Sequence, residues 1–236
     1  MRKRILAAFV SIVMLLILPF PTAYALGNEE SINNLEYARY QQLLEDGILG
    51  EDVSFDIWHQ TNIRSARLEK ELEESSEFEK VYDSNRASYY AMKAGDVFVT
   101  NATSSFGLTG HSGIAYSDLR IVHIAGPGKN PETVSQLAWT GSLYPGGWTK
   151  IYRHKSASVA SAAANWARKT YVNSKATYYI NLDLASTDKT YCSKLVWQSY
   201  YYGPSTPSAT IPFTRIVVPY GLDEDISGIS LVQQYG

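Results

Sequence analysis

The residues of this chain best suited to covalent chemistry are one thiol and two neighbouring histidines. Cys192, the only cysteine, stands in Tyr191-Cys192-Ser193-Lys194-Leu195-Val196-Trp197, and His111 and His123, two of four histidines, lie upstream of it. A thiol attacks a carbonyl carbon as thiolate, so it needs a base within hydrogen-bond reach and a third group that orients the base. These three residues supply such a set. The other use of a lone cysteine is as a small buried apolar residue.

The elements around these residues decide between the two uses. Leu195, Val196, Ser199 and Tyr200 repeat at helical spacing, which predicts a helix with Cys192 in its first turn and Thr190 as capping residue. Gly203-Pro204 ends it, the glycine as a left-handed cap. In the first turn, unpaired N–H groups and the helix dipole favour thiolate and draw the thiol below its free pKa of about 8.5. A thiolate partner would in turn hold a histidine above about 6.5.

The histidines fall on two short apolar runs, His111 to Tyr116 and Ile121 to Gly126, around a polar turn, which predicts a hairpin. His111 and His123 share a face only if the connecting loop has an odd number of residues. A loop of Ser117 to Leu119 pairs Tyr116 with Arg120 and satisfies this, whereas a two-residue loop separates the rings. The sequence leaves both open.

The first residues bear on the cysteine as well. Arg2-Lys3-Arg4, an uncharged run from Ile5 to Phe20, and Ala23-Tyr24-Ala25 read as an export signal over residues 1–25, cut after Ala25. The alternative is an uncleaved anchor, for which the apolar run is short. Export predicts a secreted, extracellular or cell-wall location and no stable membrane span after cleavage. An exported single thiol cannot form an internal disulfide and is exposed to oxidation, a liability that Ala or Val would avoid at a structural position. That favours catalysis.

Elsewhere, 45% hydrophobic and 19% charged residues suit a globular core. Lys and Arg number 21 against 23 Asp and Glu, and loss of the signal moves the balance further to the acidic side. No basic cluster remains to track phosphates, so nucleic acid is not an expected partner. Residues 26–92 form a helical N-terminal extension: one helix from Asn34 to Leu49, a second capped by Ser54, and a third from Phe78 to Tyr90. No linker follows, so the extension is expected to pack on the domain over residues 93–236 as cap, pro-segment or core. Within that domain Asp96–Thr100 reads as a short strand, 101–110 as a loop, and 127–150 as a long loop able to line a groove. A helix follows over 156–171 and a strand over Ile216–Pro219, while Asp223-Glu224-Asp225 is read as exposed. His59 and His154 read as solvated. Eighteen tyrosines suit peptide or sugar contact.

Gly110-His111-Ser112-Gly113-Ile114, then His123, then Tyr191-Cys192-Ser193-Lys194-Leu195-Val196-Trp197 resemble the circularly permuted branch of the NlpC/P60 superfamily, nearest its YiiX/YebB-like cysteine hydrolases. The two-histidine hairpin also resembles lecithin:retinol acyltransferase-like proteins. The resemblance covers roughly Gly95 to Pro219. It implies an α+β, papain-like fold in which an antiparallel sheet bearing the histidines packs against the nucleophile helix. It further implies Cys192 as nucleophile, His111 as base, His123 as the orienting third residue, and Tyr178 or Tyr179 near the oxyanion or substrate amine. No metal or cofactor is implied. The expected function is a thiol hydrolase of an amide bond in peptide or peptidoglycan-type substrates. The alternatives are a catalytically silent binding module and a thiol acyltransferase or esterase acting on lipid. The sequence fixes no oligomeric state.

Overall fold

The computed structural model describes residues 29–75, 82–83, 90–105 and 108–236. The expected export signal over residues 1–25 lies outside the described residues, as does most of the third expected helix. Its Tyr82–Asp83 is a short strand instead. Among the described residues no helix is long and apolar enough to cross a membrane.

The chain runs α1 (Glu29–Glu45), α2 (Phe55–Glu74), β1 (Tyr82–Asp83), β2 (Val97–Ser105), β3 (Leu108–Ala115), β4 (Ile121–His123) and β5 (Glu132–Val134). A π-helical turn (Ala138–Leu143), β6 (Thr149–His154), α3 (Ala157–Tyr171), β7 (Thr177–Tyr178), β8 (Lys189–Thr190) and α4 (Cys192–Tyr202) follow. A 3-10 turn (Pro219–Gly221), the short α5 (Leu222–Asp225) and β9 (Ile229–Tyr235) close it. The fold is α+β. The main sheet has the order β1-β9-β6-β2-β3-β4-β5 and is antiparallel except at β1–β9.

Both faces of this sheet are covered, which is why its central strands read as near-continuous apolar runs rather than a clean alternation. Val97, Val99, Ile114 and Val122 join the larger core cluster with Ala163, Tyr171, Leu195, Trp197 and Tyr200 of α3 and α4. Phe98, Ala115, Ile121 and Ile151 join a smaller cluster on the opposite face with Trp139 and Tyr144.

The N-terminal helices belong to the larger core. Ser54 Oγ accepts from Ile57 N–H at the start of α2, and Leu43, Val53, Trp58 and Leu68 lie in the larger cluster. Arg64 on α2 reaches Asp225 at 2.9 Å, so Asp225 is 5% exposed rather than solvated as its acidic run suggested. The expected loop over 101–110 is instead the continued β2–β3 ladder, with a bulge at Ser104. The expected strand at Ile216–Pro219 is a buried connection that pairs with no strand. Val217 N–H donates to Tyr191 Oη at 3.0 Å and its carbonyl accepts from Ser193 Oγ at 2.7 Å. The strand that completes the sheet is β9, between β1 and β6.

Candidate active site

The hairpin resolves the loop question. Ala115 pairs with Ile121 and Ile114 with Val122, and Tyr116 N–H donates to Arg120 O at 3.0 Å, so the loop is Ser117 to Leu119. An odd loop puts His111 and His123 on one face. Their rings meet there, with His111 Nε2 and His123 Nδ1 2.9 Å apart. Both are buried, at 0% and 1% exposure.

The π-helical turn closes over the pair. Trp139 stacks on His111 at 5.4 Å and 21°, and meets His123 edge-on at 5.3 Å. Tyr144, just after the turn, lies 5.2 Å from the His111 ring and 4.8 Å from that of Trp139. Glycine makes this packing possible: a Cβ on Gly113 would come within 3.0 Å of the Trp139 ring. Trp139 and Tyr144 were legible only as part of a loop able to line a groove.

Cys192 is the first residue of α4 and is 0% exposed. Thr190 does not cap the helix; it lies in β8, and Tyr191 is the N-cap, extended at φ −143° and ψ 170° with no side-chain capping bond. Gly203 sits at the other end in right-handed helical geometry, φ −74°, rather than as a left-handed cap. It is required for space, since a Cβ there would lie 2.5 Å from Ser199 O and 2.8 Å from Ala162 O. The start of α4 is held from inside by Lys194, whose ammonium donates to Lys189 O at 2.7 Å, to Asp183 O at 2.5 Å and to Asn181 Oδ1 at 3.4 Å. Burial pushes that ammonium down to about 8.

α4 packs on β3. Cys192 is near enough to help raise the phenol of Tyr144 on the histidine side of the sheet and those of Tyr178, Tyr191 and Tyr220, which belong to the larger cluster. Tyr220 in turn covers Gly110, the residue before His111. The start of α4 and the hairpin therefore share neighbours at the Gly110 end of β3. Tyr178 is buried, and burial and the nearby thiol raise its phenol well above the usual 10. Tyr179 is part-exposed under the Lys189 ammonium at 4.1 Å, its phenol raised by burial and by Asp52 and Glu51 rather than by Cys192.

The electrostatics reverse one expectation. Burial, and then the charge of His123, lowers His111 well below 6.5, and burial lowers His123 to about 4. The resting histidines are neutral because two adjacent buried rings cannot cheaply carry charge. The other two histidines stand elsewhere. His59 pairs with Glu36 at 2.8 Å. His154 is buried, not solvated: it stacks on Tyr200, accepts from Ser156 N–H, and lies 3.1 Å from Ser208 Oγ. Among the described residues no three His, Cys, Asp or Glu side chains group as a metal site.

Residues 68–235, more than half of the chain, match the family described as lipoprotein N-acylation protein LnsA-like. An uncharacterized 30.3 kDa protein of Bacillus thuringiensis is 35% identical over 158 residues, which are 62% of this chain and 58% of that one. The aligned part thus spans under two thirds of that relative's length. Among solved structures, the metalloprotein yiiX from Escherichia coli O157:H7 overlays with a TM-score of 0.45 at 16% identity, over 61% of this chain and 97% of that one.

Proposed function

The chain belongs to the LnsA-like family of lipoprotein N-acylation proteins, and on that footing we propose that it is a thiol acyltransferase with Cys192 as nucleophile. The family points to an enzyme of the acyltransferase or hydrolase kind. The observation that carries the mechanism is the buried bond between His111 Nε2 and His123 Nδ1. It commits one nitrogen of His111 to its neighbour, and we assign Nδ1 as the atom that takes the thiol proton.

With both histidines neutral at rest, the thiol loses its proton to His111 Nδ1 as sulfur attacks an acyl carbonyl carbon. The C–O bond to the donor alcohol breaks, and the His111 imidazolium returns the proton to the leaving oxygen. The acyl group remains on sulfur as a thioester. An amine then attacks that carbonyl, His111 takes the amine proton, and the C–S bond breaks to give an amide and the free thiol. The backbone N–H of Cys192 and the Tyr178 phenol, protonated at all ordinary pH, are the donors assigned to the oxyanion. Leu137 and Leu143, flanking Trp139 at 64% and 44% exposure, offer an acyl chain apolar contact at the rim of the site. We read the order His111, His123, Cys192 on this α+β architecture as a permuted papain-like arrangement. Export by residues 1–25 would place the enzyme at the outer face of the membrane, where lipoproteins are.

Hydrolysis of wall peptides, the expectation from the resemblance together with export, shares the thiol attack and differs in the acyl donor and in water as acceptor. Purified protein incubated with diacyl phospholipid vesicles and an N-terminal cysteine lipopeptide, and separately with purified cell wall, tests the choice. The expected result is a mass increase of one acyl chain on Cys192, transferred to the peptide amine. Release of stem peptides from wall with no acyl adduct would overturn the reading.

A further inference from the structure

The sheet places a carboxylate behind the histidine pair, at a position the sequence did not single out. Glu132 on β5 is the cross-strand partner of His123 on β4, and its Oε1 lies 3.7 Å from His123 Nε2. That nitrogen is buried and has no hydrogen-bond partner among the described residues. A buried ring nitrogen without a partner is costly and calls for an explanation. The separation exceeds a hydrogen bond. The Glu132 side chain is long and 54% exposed, however, so rotation of its torsions or a single bridging water closes the gap.

The consequence follows from counting protons. Only one proton fits between His111 Nε2 and His123 Nδ1. If it belongs to His111, then His111 Nδ1 carries a lone pair and can accept the thiol proton, and His123 carries its own proton on Nε2. If it belongs to His123, then His111 Nδ1 is protonated and cannot act as a base, and His123 Nε2 is a bare lone pair. A carboxylate at His123 Nε2 stabilises the first arrangement and repels the second. We infer that Glu132 is a positioning residue that sets the tautomer of both histidines and so makes His111 a competent base. The same charge reaches Tyr144, whose phenol it helps to hold up. This inference rests on His111 being the base in the proposed acyl transfer.

Long-range proton–nitrogen correlation spectra of histidine-labelled full-length protein read the tautomers directly, with only four histidines to assign. In the wild type both His111 and His123 are expected to carry their proton on Nε2. Glu132→Ala should shift both together toward Nδ1–H and slow acylation of Cys192 about tenfold to a hundredfold. Glu132→Gln, whose amide oxygen can still accept from His123 Nε2, should fall between. Glu132 is on an edge strand and half exposed, so an unchanged thermal midpoint is expected in both variants. Wild-type spectra with Nδ1–H on His123, or a Glu132→Ala protein with unchanged tautomers and rate, would overturn the inference. A wild-type protein with the expected tautomers but no acylation of Cys192 by any acyl donor would instead sink the acyl-transfer reading.

Discussion

Cys192 and His111 hold different roles in the proposed reaction, nucleophile and base, so replacing each tells something different. Cys192→Ser puts oxygen for sulfur at a helix start, which should abolish the acyl adduct seen by intact-mass measurement while leaving the thermal midpoint nearly unchanged. A collapsed midpoint with transfer retained would mean that the cysteine is a core residue only. His111→Ala removes the base and should cost nearly as much activity as loss of the thiol. His123→Ala removes only the acceptor that keeps the proton on His111 Nε2, so a drop of about a hundredfold or more is expected. His123→Asn should lie between, because its side-chain oxygen can accept that N–H. Equal and complete loss in both His123 variants would reassign the roles.

The buried histidines also set a stability window. A histidine whose folded pKa lies below its unfolded value binds fewer protons folded than unfolded, so its stabilising share is full above the unfolded value and lost as pH falls. For His123 that window runs from 6.5 down to about 4, and His111 acts in the same sense. Asp225, its carboxyl pushed up to about 6 by burial against the pull of Arg64, works in the opposite sense and favours the folded state at low pH. The histidine share is therefore read by difference. Thermal midpoints between pH 7 and pH 4.5 should fall less in His123→Asn than in the wild type. Parallel curves would show that His123 is not neutral in the folded state.

At the scale of elements, the β2–β3 ladder and the Pro219–Gly221 turn meet at Gly110. Its φ of +76° is left-handed, and a Cβ there would lie 2.5 Å from the Tyr220 ring. Gly128 has a similar φ of +73° with nothing near its missing Cβ, so it reports the backbone strain alone. Gly110→Ala should therefore destabilise more than Gly128→Ala, the excess being about 1 kcal/mol or more from overpacking. Because Gly110 leads directly into His111, acyl transfer should also drop in the first variant and not in the second. Equal stability losses measured by denaturant titration would show that Tyr220 yields without cost. The π-helical turn belongs to the same scale. Leu137 and Leu143 stand out to solvent because their neighbour Trp139 turns inward over the histidines.

Across the whole molecule, the N-terminal helices complete the core that carries the site. Trp58 at 2% exposure and Leu68 at 3% are packed in the same cluster as Leu195, Val196 and Trp197 of α4, and Arg64 ties α2 to the C-terminal segment through Asp225. Removal of residues 29–74 should therefore give insoluble protein rather than an activated enzyme, and a soluble, more active fragment would mark the helices as a pro-segment. Trp58→Ala should cost about 3–5 kcal/mol. Arg64→Ala, which leaves a buried carboxylate unpaired, should cost about 3 kcal/mol, and adding Asp225→Ala should recover part of it. Additive losses in that cycle would mean that the pair is not coupled.

The amino-acid sequence by itself determined what depends on local order. Ser54 marks a helix start, the spacing of Leu195, Val196 and Tyr200 sets a helix with Cys192 in its first turn, and the residue types of Cys192, His111 and His123 define the chemistry they are fit for. It did not reach what depends on distant partners. The loop parity turned on whether Tyr116 and Arg120 bond across the turn. β9 and the buried state of Asp225 depend on β6 and Arg64, far away along the chain. His154 reads as solvated beside Arg153 and Lys155, yet it is buried because Tyr200 and Ser208 arrive from elsewhere. The lowered pKa of His111 has the same origin. A sequence pairs a histidine with the charge expected beside it, but desolvation by Trp139, Tyr144 and a second imidazole exists only once the chain has closed around them, and burial then outweighs any single charge.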